Sequence, residues 1–165
     1  MIYLNQRFAL TALIALALGL SVEAEQTDGA QWVTAWSTSQ QALGTTVVTD
    51  ATVRLVARVT ATGASVRIRL DNAYGTRPLV VAAATVGVPM RGAVLDPGSI
   101  QIVYFEGLSD VRIPAGESVT SDPVVMPVIA QQDLAISLHI PERDVRPSQH
   151  NGARVTSYIT NDRNG

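Results

Sequence analysis

The sequence predicts an all-β domain, a β-sandwich or jelly roll, placed after an export leader. Three observations carry this expectation. Beyond Glu25 no stretch of about 12 residues keeps a 3.6-residue apolar period. Short runs of apolar–polar alternation recur instead. Gly, Pro, Asp and Asn clusters separate these runs at roughly 8–12-residue spacing, the punctuation of sandwiches and jelly rolls.

The leader comes first. Met1–Arg7 carries one cationic side chain, Phe8–Val22 carries no charge, and Val22 and Ala24 set small residues before Glu25. A charged start, an apolar run and a small-x-small exit are the parts of a secretory signal peptide. The run is shorter than the ~20 apolar residues that a spanning helix needs. Residues 1–24 are therefore expected to be removed, with an uncleaved anchor as the alternative. The protein would be secreted or periplasmic, with no stable membrane span after cleavage.

Residues 25–160 are expected to form the β domain, and 161–165 to begin a linker or a truncated C-terminus. Val33–Ser37 reads as a first strand, with Trp32 and Trp36 on one face. Thr52–Thr60 sets Val53, Leu55, Ala57 and Val59 against Arg54, Val56 and Arg58. Val66–Asp71 continues with Val66, Ile68 and Leu70 against Arg67 and Arg69. A two-residue turn at Thr62-Gly63 would join them as a hairpin, with Arg54 opposite Asp71 and Arg58 opposite Arg67. Leu79–Val88 is an unbroken apolar run, suited to a strand covered on both faces. Ser99–Phe105, Val111–Ile113, Ser118–Ser121, Val124–Val128, Asp133–Ile140 and Ala153–Thr160 complete the set. Ser148–Ala153 reads as loop.

Composition bounds the function. The chain has 165 residues, no Cys and a formal net charge of −2, and 16% of its residues are charged. The absence of Cys excludes a disulfide framework, a Cys-ligated zinc and a Cys nucleophile. With 47% apolar residues the chain is not of the disordered class. All 12 cations are Arg, and the balance is slightly acidic, which argues against nucleic-acid binding.

Motifs for chemistry are sparse. There is no G-x-S-x-G elbow, no H-x-H or H-E-x-x-H, no EF-hand loop and no phosphate-cradling Gly-rich loop. Ser109 and Ser118 read as turn serines rather than nucleophiles. His139 lies on the strand face of Ala135 and Ser137 and reads as a half-exposed strand residue. His150, in a polar loop, is a candidate ligand or domain contact, with a backbone-bonded loop histidine as the plain alternative. No catalytic, cofactor or metal residue is nominated. Trp32, Trp36, Tyr74 and Tyr104 could stack on a sugar ring, though packing accounts for at least one Trp.

A set of pieces in a fixed order carries more information. These are Trp32-Val33-Thr34-Ala35-Trp36, Thr52-Val53-Arg54 with Arg58, and the block from Val66-Arg67-Ile68-Arg69-Leu70-Asp71-Asn72-Ala73-Tyr74-Gly75 to Leu79. Ile113-Pro114-Ala115-Gly116, Ser121-Asp122-Pro123, Asp133–Ser137 and His150 through Tyr158 follow. In this order, over Trp32–Ile159, the chain resembles the N-terminal β domain of secreted SGNH-type (GDSL-like) ester hydrolases. The resemblance implies a parent enzyme acting on acylated carbohydrate or lipid esters. Its Gly-Asp-Ser block and its Asp-x-x-His block both fall outside the part that matches, and neither motif occurs here. No catalytic residue of that family is therefore carried over.

Two functions follow as expectations. One is the non-catalytic front of such an esterase, partnered by a catalytic domain in cis. The other is a free-standing carbohydrate-binding sandwich, and a purely structural module is a third possibility. Arg58, Arg67, Arg69, Asn72, Tyr74 and His150 are the candidate interface or ligand contacts. The Arg58–Arg67 pair would either splay into water, where screening removes most of the repulsion, or be neutralised by an acidic domain surface or an anionic sugar.

Overall fold

The computed structural model describes residues 1–6, 31–150 and 156–160. The expected apolar run 8–22, the cleavage site at Ala24, loop residues 151–153 and the tail 161–165 lie outside the described residues. Among the described residues no helix is long and apolar enough to cross a membrane.

The described chain is almost entirely β, as the alternation requires. One sheet holds β1 (Ile2–Gln6), β2 (Gln31–Trp36) and β5 (Gly63–Asp71), in the order β2-β1-β5. The far edge of β5 carries β12 (Ser118–Thr120) and β13 (Val124–Val128). The second sheet runs β10 (Gln101–Ile102), β7 (Ala83–Gly87), β14 (Asp133–Ile140), β4 (Ala51–Arg58), β16 (Ser157–Thr160). Three small ladders close the ends: β3 (Ala42–Leu43) with β15 (Ser148–Gln149), β6 (Leu79–Val81) with β11 (Val111–Ile113), and β8 (Pro89–Arg91) with β9 (Val94–Leu95).

The inner faces follow the period-two pattern. Leu134, Ile136, Leu138 and Ile140 on β14 stand beside Ala57, Leu55, Val53 and Ala51 on β4. From the other sheet, Ile2, Leu4, Val66 and Ile68 enter the same apolar cluster. Ile2 is 1% and Leu4 0% exposed. Full burial of such side chains contributes roughly 1.5–3 kcal/mol each.

Five features differ from the sequence expectations. First, Ile2–Gln6, assigned to the leader, is a central strand flanked antiparallel by β2 and β5. Second, β4 and β5 form no hairpin. They lie in different sheets, so the register that faced Arg58 to Arg67 and Arg54 to Asp71 does not exist. The chain crosses between them, where the Val59 and Thr60 amides donate to the Gln132 and Ala35 carbonyls. Crossing lets the apolar faces of both strands meet across the core instead of lining one sheet.

Third, Leu79–Val88 is two strands. The Ala82 amide donates to the His139 carbonyl at the break, and β6 and β7 pair with different neighbours. A run apolar on both faces carries no mark of such a switch. Fourth, Trp32 and Trp36 point to opposite faces. The β1–β2 register skips Ala35, a bulge that re-aims the side chain after it. Trp36 packs against the core, and Trp32 stays on the outer face, where the Arg67 guanidinium lies 4.5 Å over its ring. Ser99–Phe105 also shortens to Gln101–Ile102, because Asp96 caps a 3-10 turn at Pro97–Ser99.

Candidate functional site

A cavity of about 390 Å³ opens where the inner faces of the two sheets part. That size falls in the range of small-molecule sites. Its apolar wall comes from Val53, Leu55, Leu70, Leu79, Leu138 and Ile140. Polar groups ring the mouth: Gln40, Arg69, Asp71, Asn72, Arg146 and Ser148. The β3–β15 ladder covers one side, and hydrogen bonds from the Gln41 and Gly44 amides to the Gln149 and Pro147 carbonyls tie its ends.

The loop after β5 builds the opposite rim. Asp71 Oδ1 accepts from the Ala73 amide at 2.7 Å, an Asx turn that reverses the chain. Asn72 lies at its centre. Its Nδ2 donates to the carbonyls of Arg77, Ile113 and Pro114 at 3.0–3.1 Å. Its own carbonyl accepts from the Gly75 and Gly116 amides, both at 3.0 Å. Tyr74, exposed at the rim, donates its hydroxyl to the Gln40 carbonyl at 3.2 Å.

Met1 is part of the same site. Its α-ammonium donates to the Arg69 carbonyl at 2.9 Å. Burial holds this ammonium below its ordinary pKa; Arg69 adds to the effect, and Asp71 opposes it.

Of the six candidate contacts, Arg69, Asn72 and Tyr74 meet at the cavity. The Arg69 guanidinium turns outward and donates to Ser118 Oγ at 2.9 and 3.2 Å. His150 is near the β3–β15 side, its Nδ1 2.7 Å from the Ser39 carbonyl oxygen. Arg67 is taken by Trp32, and its Nε is buried without a partner. Arg58 lies elsewhere, in a two-pronged pair with Asp133: Nε and Nη2 donate to the two carboxylate oxygens, each at 2.8 Å.

The Arg58 hydrogen bond holds the Asp133 carboxyl below its usual range, against a smaller opposing effect of burial. A depressed folded pKa contributes stability above the ordinary carboxylate range, and that contribution disappears as pH falls through the folded value. The pair is exposed, so the loss is small. Carboxyl-carbon NMR should show Asp133 titrating in the ordinary range in Arg58→Ala, with the acid-unfolding midpoint almost unmoved. An Asp133 titration unchanged by the substitution would contradict the pairing.

Among the described residues one serine lies beside an imidazole: the exposed Ser39 Oγ is 3.4 Å from His150 Nδ1. Ser118 Oγ serves Arg69, Ser109 is exposed, and neither has an imidazole partner among the described residues. His139 is more covered than expected, at 13% side-chain exposure, with Nε2 3.7 Å from Asp50 Oδ1 and Nδ1 buried without a partner. No three His, Asp or Glu side chains converge among the described residues. Sequence reasoning missed Val48, Val145, Arg146 and Pro147 as lining residues. They come from segments with no periodic signal. No family model and no curated protein sequence matches the chain.

Proposed function

We propose that the chain is the N-terminal, non-catalytic β domain of a secreted SGNH-type (GDSL-like) ester hydrolase. The rim around Asn72 and Tyr74 is the surface that meets the catalytic portion. One observation carries the reading. The Arg67–Leu79 block, the longest piece of the resemblance, forms the second half of β5 and a locked loop at the mouth of the cavity. A stretch devoted only to the core would not spend Asn72, Tyr74 and Arg77 on a surface loop.

The second reading, a carbohydrate-binding module, needs an aromatic face open to a sugar ring. Tyr74 offers one at the rim, whereas Trp36 is committed to the core and Trp32 to Arg67. Tyr104 is exposed as well but does not line the cavity, so no pair of open rings stands at one site, and this is the weaker case.

The test is to read the encoding DNA in frame past codon 165 and to assay the full chain on short-chain aryl esters. An in-frame Gly-Asp-Ser segment and no turnover are expected. Turnover that disappears in Ser109→Ala or Ser118→Ala would overturn the non-catalytic assignment. A stop codon together with saccharide binding lost in Tyr74→Ala would favour the second reading.

A further inference from the structure

The geometry points to a strand-acceptor slot between β2 and β5, held in the uncut chain by the leader's own Ile2–Gln6. Once the leader is removed, the slot takes an extended segment of the parent enzyme in its place. The inference rests on the export and parent-enzyme readings above.

Five observations meet here. Strand β2 hydrogen-bonds only β1 within its sheet among the described residues. Taking β1 away leaves two facing rows of unpaired backbone groups, the arrangement that recruits another strand. The seated segment is antiparallel to both walls: Leu4 lies opposite Val66 and Val33, Ile2 opposite Ile68 and Trp36. Its Ile2 and Leu4 side chains fill the core, at 1% and 0% exposure.

Gly63 is fitted to this strand. A Cβ there would stand 2.8 Å from Leu4 Cβ and 2.9 Å from the Asn5 carbonyl oxygen. The slot is also continuous with the cavity, since Met1, Trp36 and Arg69 line both. Yet residues 1–24 have the pattern of a segment that export removes. A central strand drawn from a disposable segment is a placeholder.

The chemistry of the occupant follows from the register. It is extended, apolar at alternate positions, free of proline where both ladders need an N–H, and antiparallel to β2 and β5. Such a strand gains main-chain hydrogen bonds on both edges, and its alternate side chains give selectivity.

The test uses the full chain with a specific protease site replacing Gln26–Gly29. The folded protein is cut there and offered a tenfold excess of a labelled peptide of sequence Met1–Arg7. Label is expected to enter the large fragment, at least 10-fold less with a Leu4→Asp peptide or in a Gly63→Ala protein. If the cut protein aggregates, the wild-type peptide should restore a monodisperse species and the Leu4→Asp peptide should not. No uptake and no rescue, or equal uptake of both peptides, overturns the slot. Exported protein that still begins at Met1 overturns the placeholder role, because β1 would then be permanent. The exchange uses this chain alone, so it can fail while the esterase reading stands, and the reverse.

Discussion

Gly75→Ala is expected to destabilise the protein by roughly 2–4 kcal/mol, an unusual loss for adding one methyl group to a surface loop. The cause is steric, since Gly75 does not have the positive φ of Gly92, Gly107 or Gly116. A Cβ at Gly75 would stand 1.9 Å from Asn72 Oδ1 and 2.6 Å from its Cγ. Asn72 would have to leave its seat. Its amide there serves three carbonyls, that of Arg77 in the loop between β5 and β6 and those of Ile113 and Pro114 at the end of β11. Each lost bond costs about 1 kcal/mol, and a carbonyl left buried and unpaired costs more. Asn72→Ala should show a loss of similar size in urea denaturation. The double variant should lose clearly less than the sum, because both changes break one interlock. Strict additivity would mean that the two residues act separately.

This interlock also marks what could be read from the chain. Asp133–Ile140 was legible to the residue, because alternating Leu134, Ile136 and Leu138 between turns admit one interpretation. The same logic misled at Thr62-Gly63. Two alternating strands around a turn suggest a hairpin, but alternation does not say whether the apolar faces share a sheet or oppose each other across a core. Here Gly63 is held against Leu4 and Asn5, and β5 takes β1 as its neighbour. That neighbour was hidden by the leader pattern, in which Ile2 and Leu4 precede a far stronger apolar signal. Asn72 and Tyr74 stand in the block that carries the resemblance, and the fold places both at the cavity. The cavity they border was not legible, since Val53, Leu138 and Val145 meet only after both sheets have formed. Arg58 and Arg67 were read as a repelling pair. In the fold each has its own partner, Asp133 for one and Trp32 for the other.

The alternation of Thr52–Thr60 sets Arg54 on the face opposite the apolar residues, and the fold covers it there. It is 8% exposed on the outer side of β4, in a row with Tyr158, Ser137 and Thr85 on neighbouring strands. Its Nε donates to Ser137 Oγ at 2.8 Å, and its Nη1 donates to the Ala93 carbonyl between β8 and β9. The guanidinium thus ties the 89–95 hairpin to the sheet. Burial pushes its pKa down, but an arginine stays charged throughout the physiological range. Arg54→Ala should therefore cost about 3 kcal/mol, through lost volume and the unpaired Ser137 and Ala93 groups. Arg54→Met keeps most of the packing and removes the desolvated charge, so its loss should stay within about 1 kcal/mol. Arg54→Lys has a single ammonium where the native fork reaches Ser137 Oγ and the Ala93 carbonyl together. Hydrogen exchange supplies the second readout. Amides of residues 89–95 should exchange faster in all three variants, Met included, because each loosens the tether to Ala93. Unchanged exchange across the hairpin in Arg54→Met would show that packing, not the guanidinium, holds it down.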